Sequence, residues 1–171
     1  MKLAFGADHA GFELKQHLIQ TARSMGHEVL DFGAHSLESV DYADFAEPAA
    51  RAVVRGEADL GVVICSNGVG ISITANKVVG ARCALCHTSW AAARARQHTD
   101  ANMLALGGLE TGSAIADEIL AAFLSPGNDF QGGRHERRLE KLRDVERRGI
   151  GAVEGERTEA SLLAEPVGVR P

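Results

Sequence analysis

The stretch that decides the fold is Leu60-Gly61-Val62-Val63-Ile64-Cys65, which runs directly into Ser66-Asn67-Gly68-Val69-Gly70. The first half is apolar, the second is a glycine-rich turn, and a helix-like stretch from Ile71 to Lys77 follows. This order is typical of a buried parallel strand that opens through a turn into a helix. Such a turn directs several backbone N–H groups at one point, where an anion or a developing oxyanion can be held. We therefore expect a functional site at the end of this strand.

Cys65 is the last residue of the expected strand. N–H groups at a helix start can lower the pKa of a thiol from about 8.5 to about 3.5–7.5. Cys65 is therefore a candidate base or nucleophile. The alternative is that it packs as a small apolar residue, because free cysteines are commonly buried.

Short apolar runs alternate with amphipathic segments on both sides of this stretch, as far as about residue 125. Such alternation predicts repeated β-α units around a parallel sheet. We expect strands near residues 2–6, 28–32, 59–65, 81–86 and 103–106, and helices near residues 11–25, 42–55, 69–79, 88–97 and 111–124. The predicted fold class is α/β, a three-layer Rossmann-like fold with a five-stranded parallel sheet.

Polar residues follow three of these strands directly, at Asp8-His9, Cys65-Ser66-Asn67 and His87-Thr88. The carboxyl ends of parallel strands meet at one edge of the sheet, which is where ligands bind in such folds. Asp8 and His9 could bind hydroxyl or phosphate groups there, or move protons. They could equally be the N-cap of the helix that begins near Gly11.

The composition is that of an ordinary globular protein of 171 residues, with 45% hydrophobic and 24% charged residues. A net charge of −5 offers no general attraction to nucleic acid or to an anionic membrane surface. No apolar stretch is long enough to span a bilayer. The amino terminus enters a strand-like run without a signal-peptide core, so we expect a cytoplasmic protein with reduced cysteines.

Cys83-Ala84-Leu85-Cys86 has the spacing of redox and zinc sites. The surrounding residues are typical of a strand, however, and positions three apart on a strand point to opposite faces. Zinc would also need further ligands at short spacing, and the nearest, His87, continues the same strand end. We therefore expect structural packing here, and neither a metal nor a cofactor.

His98 lies at the end of a predicted helix, before the fifth strand. Its unperturbed pKa near 6.5 suits a general acid or base. A histidine at a helix C-terminus is also simply a favourable end charge.

A basic helix is predicted from Glu136 to Arg148, after Gly132-Gly133-Arg134-His135. Arg134 and Arg138, one turn apart with His135 beside them, could clamp a phosphate or carboxylate. They could also belong to a solvated helix face that Glu136, Glu140 and Glu146 balance. A narrow apolar stripe of Leu139, Leu142 and Val145 could pack against the domain or a second subunit. Residues 149–171 show little periodicity and are expected to be a flexible tail after a domain of residues 1–148.

Taken together, these motifs resemble ribose-5-phosphate isomerase type B, a family that also contains the two subunits of galactose-6-phosphate isomerase. The resemblance covers roughly residues 1–148, in order and with the family's spacing. The motifs that carry it are Gly6-x-Asp8-His9-x-Gly11, Asp41-Tyr42, Ile64-Cys65, Gly68-Val69-Gly70-Ile71-Ser72-Ile73, Ala75-Asn76-Lys77, Arg96-Gln97-His98 and Gly132-Gly133-Arg134-His135.

The resemblance implies a metal-free aldose–ketose isomerisation through an enediolate. Cys65 would move the proton between the first two sugar carbons, and His98, helped by Asp8, would open the sugar ring. Family members are dimers or tetramers whose sites lie between subunits, so a homodimer or homotetramer is implied. The implied substrate-binding residues are the turn amides of Ser66, Asn67, Gly68, Val69 and Gly70, with Tyr42 at the sugar and His9, Arg134 and Arg138 at the phosphate. Thr99 and His135 are also expected to bind the substrate.

Four positions depart from the family's pattern. Ser66 and Asn67 stand where Gly and Thr are usual, and Thr99 replaces an Asn beside the histidine. Leu109 stands where an arginine usually reaches the phosphate. Loss of a charge-assisted hydrogen bond of about 1.5–3 kcal/mol weakens binding roughly ten- to hundredfold.

Several alternatives stay open at this point. The substrate could be another phosphosugar, such as allose 6-phosphate or galactose 6-phosphate, or an unphosphorylated rare sugar. The chain could also be a sugar-phosphate-binding subunit of a hetero-oligomeric isomerase. Acyl or thiol chemistry with Cys65 as a covalent nucleophile would require an oriented histidine, for which the sequence gives no signature.

Overall fold

The computed structural model describes the backbone of residues 1–160 and the side chains of residues 1–149. Contacts divide the chain into two units, Met1–Gly132 and a second unit that begins at Gly133. No helix among residues 1–160 is long and apolar enough to cross a membrane.

Five strands and five helices alternate through the first unit, which confirms the predicted α/β class. The strands are β1 (Lys2–Ala7), β2 (Glu28–Asp31), β3 (Leu60–Cys65), β4 (Cys83–Leu85) and β5 (Met103–Gly107). The helices are α1 (Phe12–Ser24), α2 (Ala43–Val54), α3 (Val69–Ala75), α4 (Ser89–Thr99) and α5 (Ser113–Leu124).

The five strands form one parallel sheet in the order β2-β1-β3-β5-β4. β3 lies at its centre between β1 and β5, and all six of its residues are buried. Burial on both faces explains why β3 is a continuous apolar run instead of an alternating one. The strand order reverses between β1 and β3, and ligands bind at such a switch point in this kind of sheet.

Helices cover both faces of the sheet and make three layers, as predicted. α1, α4 and α5 pack on one face, where the core contains Phe5, Leu18, Leu106, Ile119 and Phe123. α2 and α3 pack on the other face, which is rich in alanine. Cys65 belongs to this second core, together with Val63, Ile71 and Met103.

Cys83 and Cys86 lie on opposite faces of the sheet, as their spacing predicts. Cys83 packs against the core under α2 and α3, and Cys86 belongs to the core on the other face. Burial raises the pKa of the Cys86 thiol to about 11 and that of Cys83 even further. Among the residues with described side chains, no three His, Cys, Asp or Glu residues gather as metal ligands.

The connection from α3 to β4 is where the observed elements differ most from the prediction. α3 ends at Ala75 instead of residue 79, and β4 has three residues instead of six. Asn76 explains the early end of the helix. Its side-chain amide donates to the carbonyl oxygens of Ser72 and Cys83 at 2.9 Å, and its Oδ1 accepts from the Cys83 N–H at 2.8 Å. These bonds replace further helical turns.

The second unit is a helix, α6, from Arg134 to Ala160. The sequence predicts that this helix ends at Arg148 and that a flexible tail follows, but the helix continues for twelve more residues. In residues 149–160, good helix formers such as Ala, Glu and Arg outnumber the glycines, which explains why the helix continues past Arg148. The remainder of the predicted tail, residues 161–171, lies outside the described residues.

Candidate active site

The loops after β1, β3 and β5 meet at the carboxyl edge of the sheet because glycines let their backbones touch. A Cβ atom on Gly11 would lie 2.4 Å from the carbonyl oxygen of Ile64, and one on Gly108 would lie 2.7 Å from that of Ala10. The Gly108 N–H also donates to the Cys65 carbonyl at 2.7 Å. Larger residues at these glycines would push the loops apart.

The turn after β3 has the backbone conformation that its glycines and asparagine predict. Gly68 has a φ of +77°, in the left-handed region, and a Cβ there would lie 2.4 Å from Leu85 Cδ1. Asn67 Oδ1 accepts from the Val69 N–H at 3.1 Å, so the side chain of Asn67 holds the turn closed. α3 begins at Val69 directly after this bond.

Cys65 lies at the carboxyl end of the central strand, where the sequence places it. Its side chain faces α2 and α3 and is 3% exposed within one chain. The sulfur lies 4.0 Å from Asn67 Oδ1. Asn67, which stands where the family usually has a threonine, is therefore the polar side chain beside the Cys65 thiol.

Tyr42 lies against the same turn. A Cβ atom on Gly70 would lie 2.7 Å from Tyr42 Cζ and 3.0 Å from its hydroxyl oxygen. The ring is 42% exposed. Tyr42 therefore reaches the β3 turn from the loop that precedes α2.

Asp8 and His9 also lie at this edge, and both are engaged by backbone N–H groups. The carboxylate of Asp8 is buried and accepts from the Gly11 N–H at 2.9 Å. Gly11 is the N-cap of α1, so Asp8 binds the cap residue and is not the N-cap itself, as the sequence alternative had it. His9 Nδ1 accepts from the Val40 N–H at 3.2 Å. In neutral His9 this bond places the proton on Nε2, which can donate to a ligand.

His98 and Thr99 lie at the opposite edge of the sheet. The Arg82 guanidinium, just before β4, donates to the Thr99 carbonyl at 3.1 Å, and β5 begins only at Met103. A strand of five residues separates this edge from Cys65, which is about 13–17 Å at about 3.3 Å per residue. One chain therefore does not bring His98 to Cys65.

Arg134, His135 and Arg138 lie in the first turns of α6, and both arginines are exposed. The Arg134 Nε donates to His135 Nε2 at 3.4 Å. Further along α6, Arg143 and Arg147 donate to Glu140 at 3.1 and 2.8 Å, and these hydrogen bonds lower the pKa of that carboxyl. In this later part of α6 the arginines are therefore balanced by acidic residues on a solvated face, which was the alternative to an anion-binding role. The phosphate-binding role of the first turns stays a prediction.

Leu109 lies beside the β3 turn. Its N–H donates to the Ser66 carbonyl at 3.0 Å, and its side chain is 76% exposed. The next residue, Glu110, lies 4.0 Å from His87 of the loop after β4. An apolar and an acidic side chain therefore occupy the loop in which the family usually carries an arginine.

The sequence analysis missed a buried ion pair between Lys15 and Asp31. Lys15 is fully buried in α1, and its ammonium group contacts the Asp31 carboxylate at the end of β2. A signal was present, because Lys15 shares the apolar face of α1 with Leu18 and Ala22. A lysine on that face requires an acidic partner nearby.

The fold is that of an α/β protein in which a cysteine and a turn of backbone amides lie together at the carboxyl edge of the sheet, where ligands bind in such folds. Comparison with known proteins narrows this class. The family model described as Ribose/Galactose Isomerase matches residues 3–142.

Individual relatives agree with this match. Ribose-5-phosphate isomerase B of Escherichia coli is 44% identical over 147 residues, which are 86% of this chain and 97% of that protein. The enzyme of the same name from Mycobacterium tuberculosis is 42% identical over 149 residues, covering 86% and 91% of the two chains. The solved structure of Clostridium thermocellum ribose-5-phosphate isomerase B superposes with a TM-score of 0.84 at 47% identity, covering 86% of this chain and 99% of that one. The chain belongs to the Ribose/Galactose Isomerase family and is an aldose–ketose isomerase.

Proposed function

We propose that this isomerase interconverts ribose 5-phosphate and ribulose 5-phosphate through an enediolate. The observation that carries the proposal is the position of Cys65 at the end of β3, beside a turn of backbone amides against which Tyr42 packs. The relatives named above carry the name of this reaction, which supports the choice of substrate.

In the proposed mechanism the Cys65 thiolate removes the proton from the second carbon of the open-chain aldose. The electrons of that C–H bond form the carbon–carbon double bond of the enediolate, and the carbonyl oxygen on the first carbon takes the negative charge. A proton then passes from the oxygen on the second carbon to the oxygen on the first. Return of the proton from the Cys65 thiol to the first carbon forms the carbonyl on the second carbon, gives the ketose and regenerates the thiolate. The same sulfur can carry out both transfers, because the first and second carbons are adjacent.

Backbone N–H groups from Ser66 to Gly70 would hold the enediolate oxygen. Fixed amide dipoles in a site shielded from water stabilise such a charge without having to reorganise. Asn67 replaces the hydroxyl of the usual threonine here. Its amide can form hydrogen bonds, but it is a poor proton relay.

Ring opening is assigned to His98, with help from Asp8. Because His98 lies at the far edge of the sheet in its own chain, we propose a homodimer or homotetramer in which His98 of one copy serves Cys65 of another. Val69 and Ile73 of α3 are 44% and 54% exposed just beyond the turn, and such apolar side chains suit a contact between copies.

The phosphate is assigned to His9 and to Arg134, His135 and Arg138 of α6. The loops at the carboxyl edge, residues 8–11, 32–42, 66–68, 86–88 and 108–112, contain no Lys or Arg. Positive charge for a phosphate must therefore come from the histidines of these loops, His9, His35 and His87, or from outside the loops. This is why the basic start of α6 is part of the proposal.

A second candidate substrate is favoured by Leu109. Without an arginine at this position, another phosphosugar or an unphosphorylated sugar could be preferred. The test is turnover of ribose 5-phosphate, allose 6-phosphate, galactose 6-phosphate and their unphosphorylated counterparts side by side. Highest kcat/KM for ribose 5-phosphate is the expected result, and a higher value for any other sugar would overturn the proposed substrate. Binding of these sugars without turnover would favour the binding-subunit alternative.

A further inference from the structure

A charge pair lies at the start of the loop that carries Tyr42. Lys15 is fully buried in α1, and its Nζ contacts Asp31 Oδ1. Asp31 is the last residue of β2, and the backbone of the next residues still bonds to β1: the Phe32 N–H donates to the Phe5 carbonyl at 2.8 Å, and the Ala7 N–H donates to the Gly33 carbonyl at 2.6 Å. The side chain of Asp31 adds to these bonds where residues 32–42 begin. Burial of a lysine to this degree is costly unless a carboxylate partner offsets the loss of water around the ammonium group.

Asp31 also binds the first residues of that loop. Its Oδ1 accepts from the Gly33 N–H at 3.0 Å, and its Oδ2 lies 3.9 Å from His35 Nδ1. One carboxylate therefore joins α1, β2 and the loop. A shift of the loop at Gly33 would therefore disturb the carboxylate with which Lys15 pairs.

The far end of the loop is held at the candidate active site. The Val40 N–H donates to His9 Nδ1 at 3.2 Å, and Tyr42 packs against Gly70 of the β3 turn. Between these anchors the five residues 35–39 are exposed. The loop is thus fixed at its two ends, at Asp31 and at His9, and bears its functional side chain next to the second anchor.

We propose that Lys15 and Asp31 are positioning residues of the substrate site: they fix the start of the loop 32–42 and thereby hold Tyr42 against the β3 turn. The proposal rests on the proposed function, because Tyr42 is assigned there to the sugar. Buried ion pairs often add nothing to stability compared with apolar replacements. A role in placing this loop gives a reason for one at this point of the fold.

The composition of the chain makes the test specific, because it contains one Tyr and one Trp. In protein labelled with 13C-tyrosine and 15N-tryptophan, the ring signal of Tyr42 reports the loop and the indole signal of Trp90 reports α4. The test variants are Asp31→Asn, which keeps the shape and the acceptor for Gly33, and Lys15→Met. The matched control is Asp117→Asn, which removes the carboxylate that binds His17 and Thr21 between α1 and α5, away from the loop.

In Asp31→Asn we expect the Tyr42 signal to move toward that of free tyrosine while the Trp90 signal stays in place. The KM for ribose 5-phosphate should rise about tenfold, with kcat changed less than about twofold, because binding is lost more than chemistry. The control should leave the Tyr42 signal and the KM unchanged. If Lys15→Met does not fold, Asp31→Asn alone decides.

Two results would overturn the proposal. One is an Asp31→Asn protein with lower thermal stability but an unchanged Tyr42 signal and KM, which would make the pair purely structural. The other is movement of both the Tyr42 and the Trp90 signals, which would show a general loosening. The Tyr42 signal does not depend on turnover. If the unaltered protein does not isomerise ribose 5-phosphate, the proposed function is contradicted. The Tyr42 signal in Asp31→Asn still decides whether Lys15 and Asp31 position the loop.

Discussion

The ring of Tyr42 occupies the space in which Gly70 would carry a side chain, since a Cβ atom on Gly70 would lie 2.7 Å from Tyr42 Cζ. The turn after β3 and the loop before α2 therefore fit together only because residue 70 is glycine. Gly70 lies inside α3 and its φ is not positive, so its backbone conformation does not require glycine. The contact with Tyr42 is therefore the reason for a glycine at this position.

Gly70→Ala should displace the Tyr42 ring and lower kcat/KM for the sugar phosphate by about tenfold or more, because misplacement by about 1 Å in an active site can cost about a hundredfold in rate. Steady-state kinetics at several substrate concentrations measures the change. Gly112→Ala is the matched control, since a Cβ there meets nothing within 4 Å and its φ of −64° suits alanine. Equal kinetics for the two variants would show that the Tyr42 contact is irrelevant to the site.

Leu109→Arg should lower the KM for ribose 5-phosphate by about tenfold, because a charge-assisted hydrogen bond to phosphate is worth about 1.5–3 kcal/mol. The gain should shrink as salt is raised from about 0.05 to 0.5 M, since salt screens an exposed pair. Leu109→Gln, of similar length but uncharged, is the control. An arginine variant with the KM and salt dependence of the glutamine variant would mean that the phosphate does not lie near residue 109.

Mixing two inactive variants tests whether the site lies between copies. Cys65→Ala and His98→Ala proteins should each be inactive alone. After co-refolding, dimers with one chain of each type contain one intact site, so activity should return to about a quarter of that of the unaltered protein. A mixture as inactive as its parents would place both residues in a site made by one chain, and an active His98→Ala protein would exclude His98 from the reaction.

His27 makes stability depend on pH. Burial, and to a lesser extent the positive amino terminus, lower its pKa in the folded protein, and its buried Nδ1 has no hydrogen-bond partner among the described residues. The unfolded chain then binds a proton near pH 6.5 that the folded chain binds only at lower pH. The free energy of unfolding should therefore be highest above pH 6.5 and fall as the pH drops below it.

Urea denaturation at a series of pH values from 8 to 5 measures this effect. His27→Gln should show a weaker fall in stability across the same range, because glutamine does not titrate. Parallel curves for the two proteins would contradict the assignment to His27, whatever their absolute stabilities.

The sequence predicts the fold well where burial and turn chemistry decide it. β3 is recognisable as a continuous apolar run because it is buried on both faces, and Cys65 and its turn follow from that position. The opposite faces of Cys83 and Cys86 follow from the geometry of a strand alone. Asp8 was ambiguous between a cap and a catalytic group, and in the structure Gly11 is the N-cap while Asp8 accepts from the Gly11 N–H.

Features that depend on tertiary contacts were not predictable in the same way. The early end of α3 is set by Asn76, which binds a residue seven positions away. The pairing of Lys15 with Asp31 joins α1 to β2. The sequence indicates it only by a lysine on the apolar face of α1. The separation of His98 from Cys65 depends on which edge of the sheet each residue reaches, and it becomes clear only once the strand directions are known.

The most direct test of the central claim is the exchange of solvent hydrogen into the sugar. Ribose 5-phosphate incubated in D2O with the unaltered enzyme should acquire deuterium at the carbons next to the carbonyl, as followed by NMR. Cys65→Ala, shown to be folded by circular dichroism and thermal melting, should isomerise nothing and incorporate no deuterium above the background without enzyme. Incorporation by Cys65→Ala at the rate of the unaltered protein would contradict the account, because the proton would then be moved by another group.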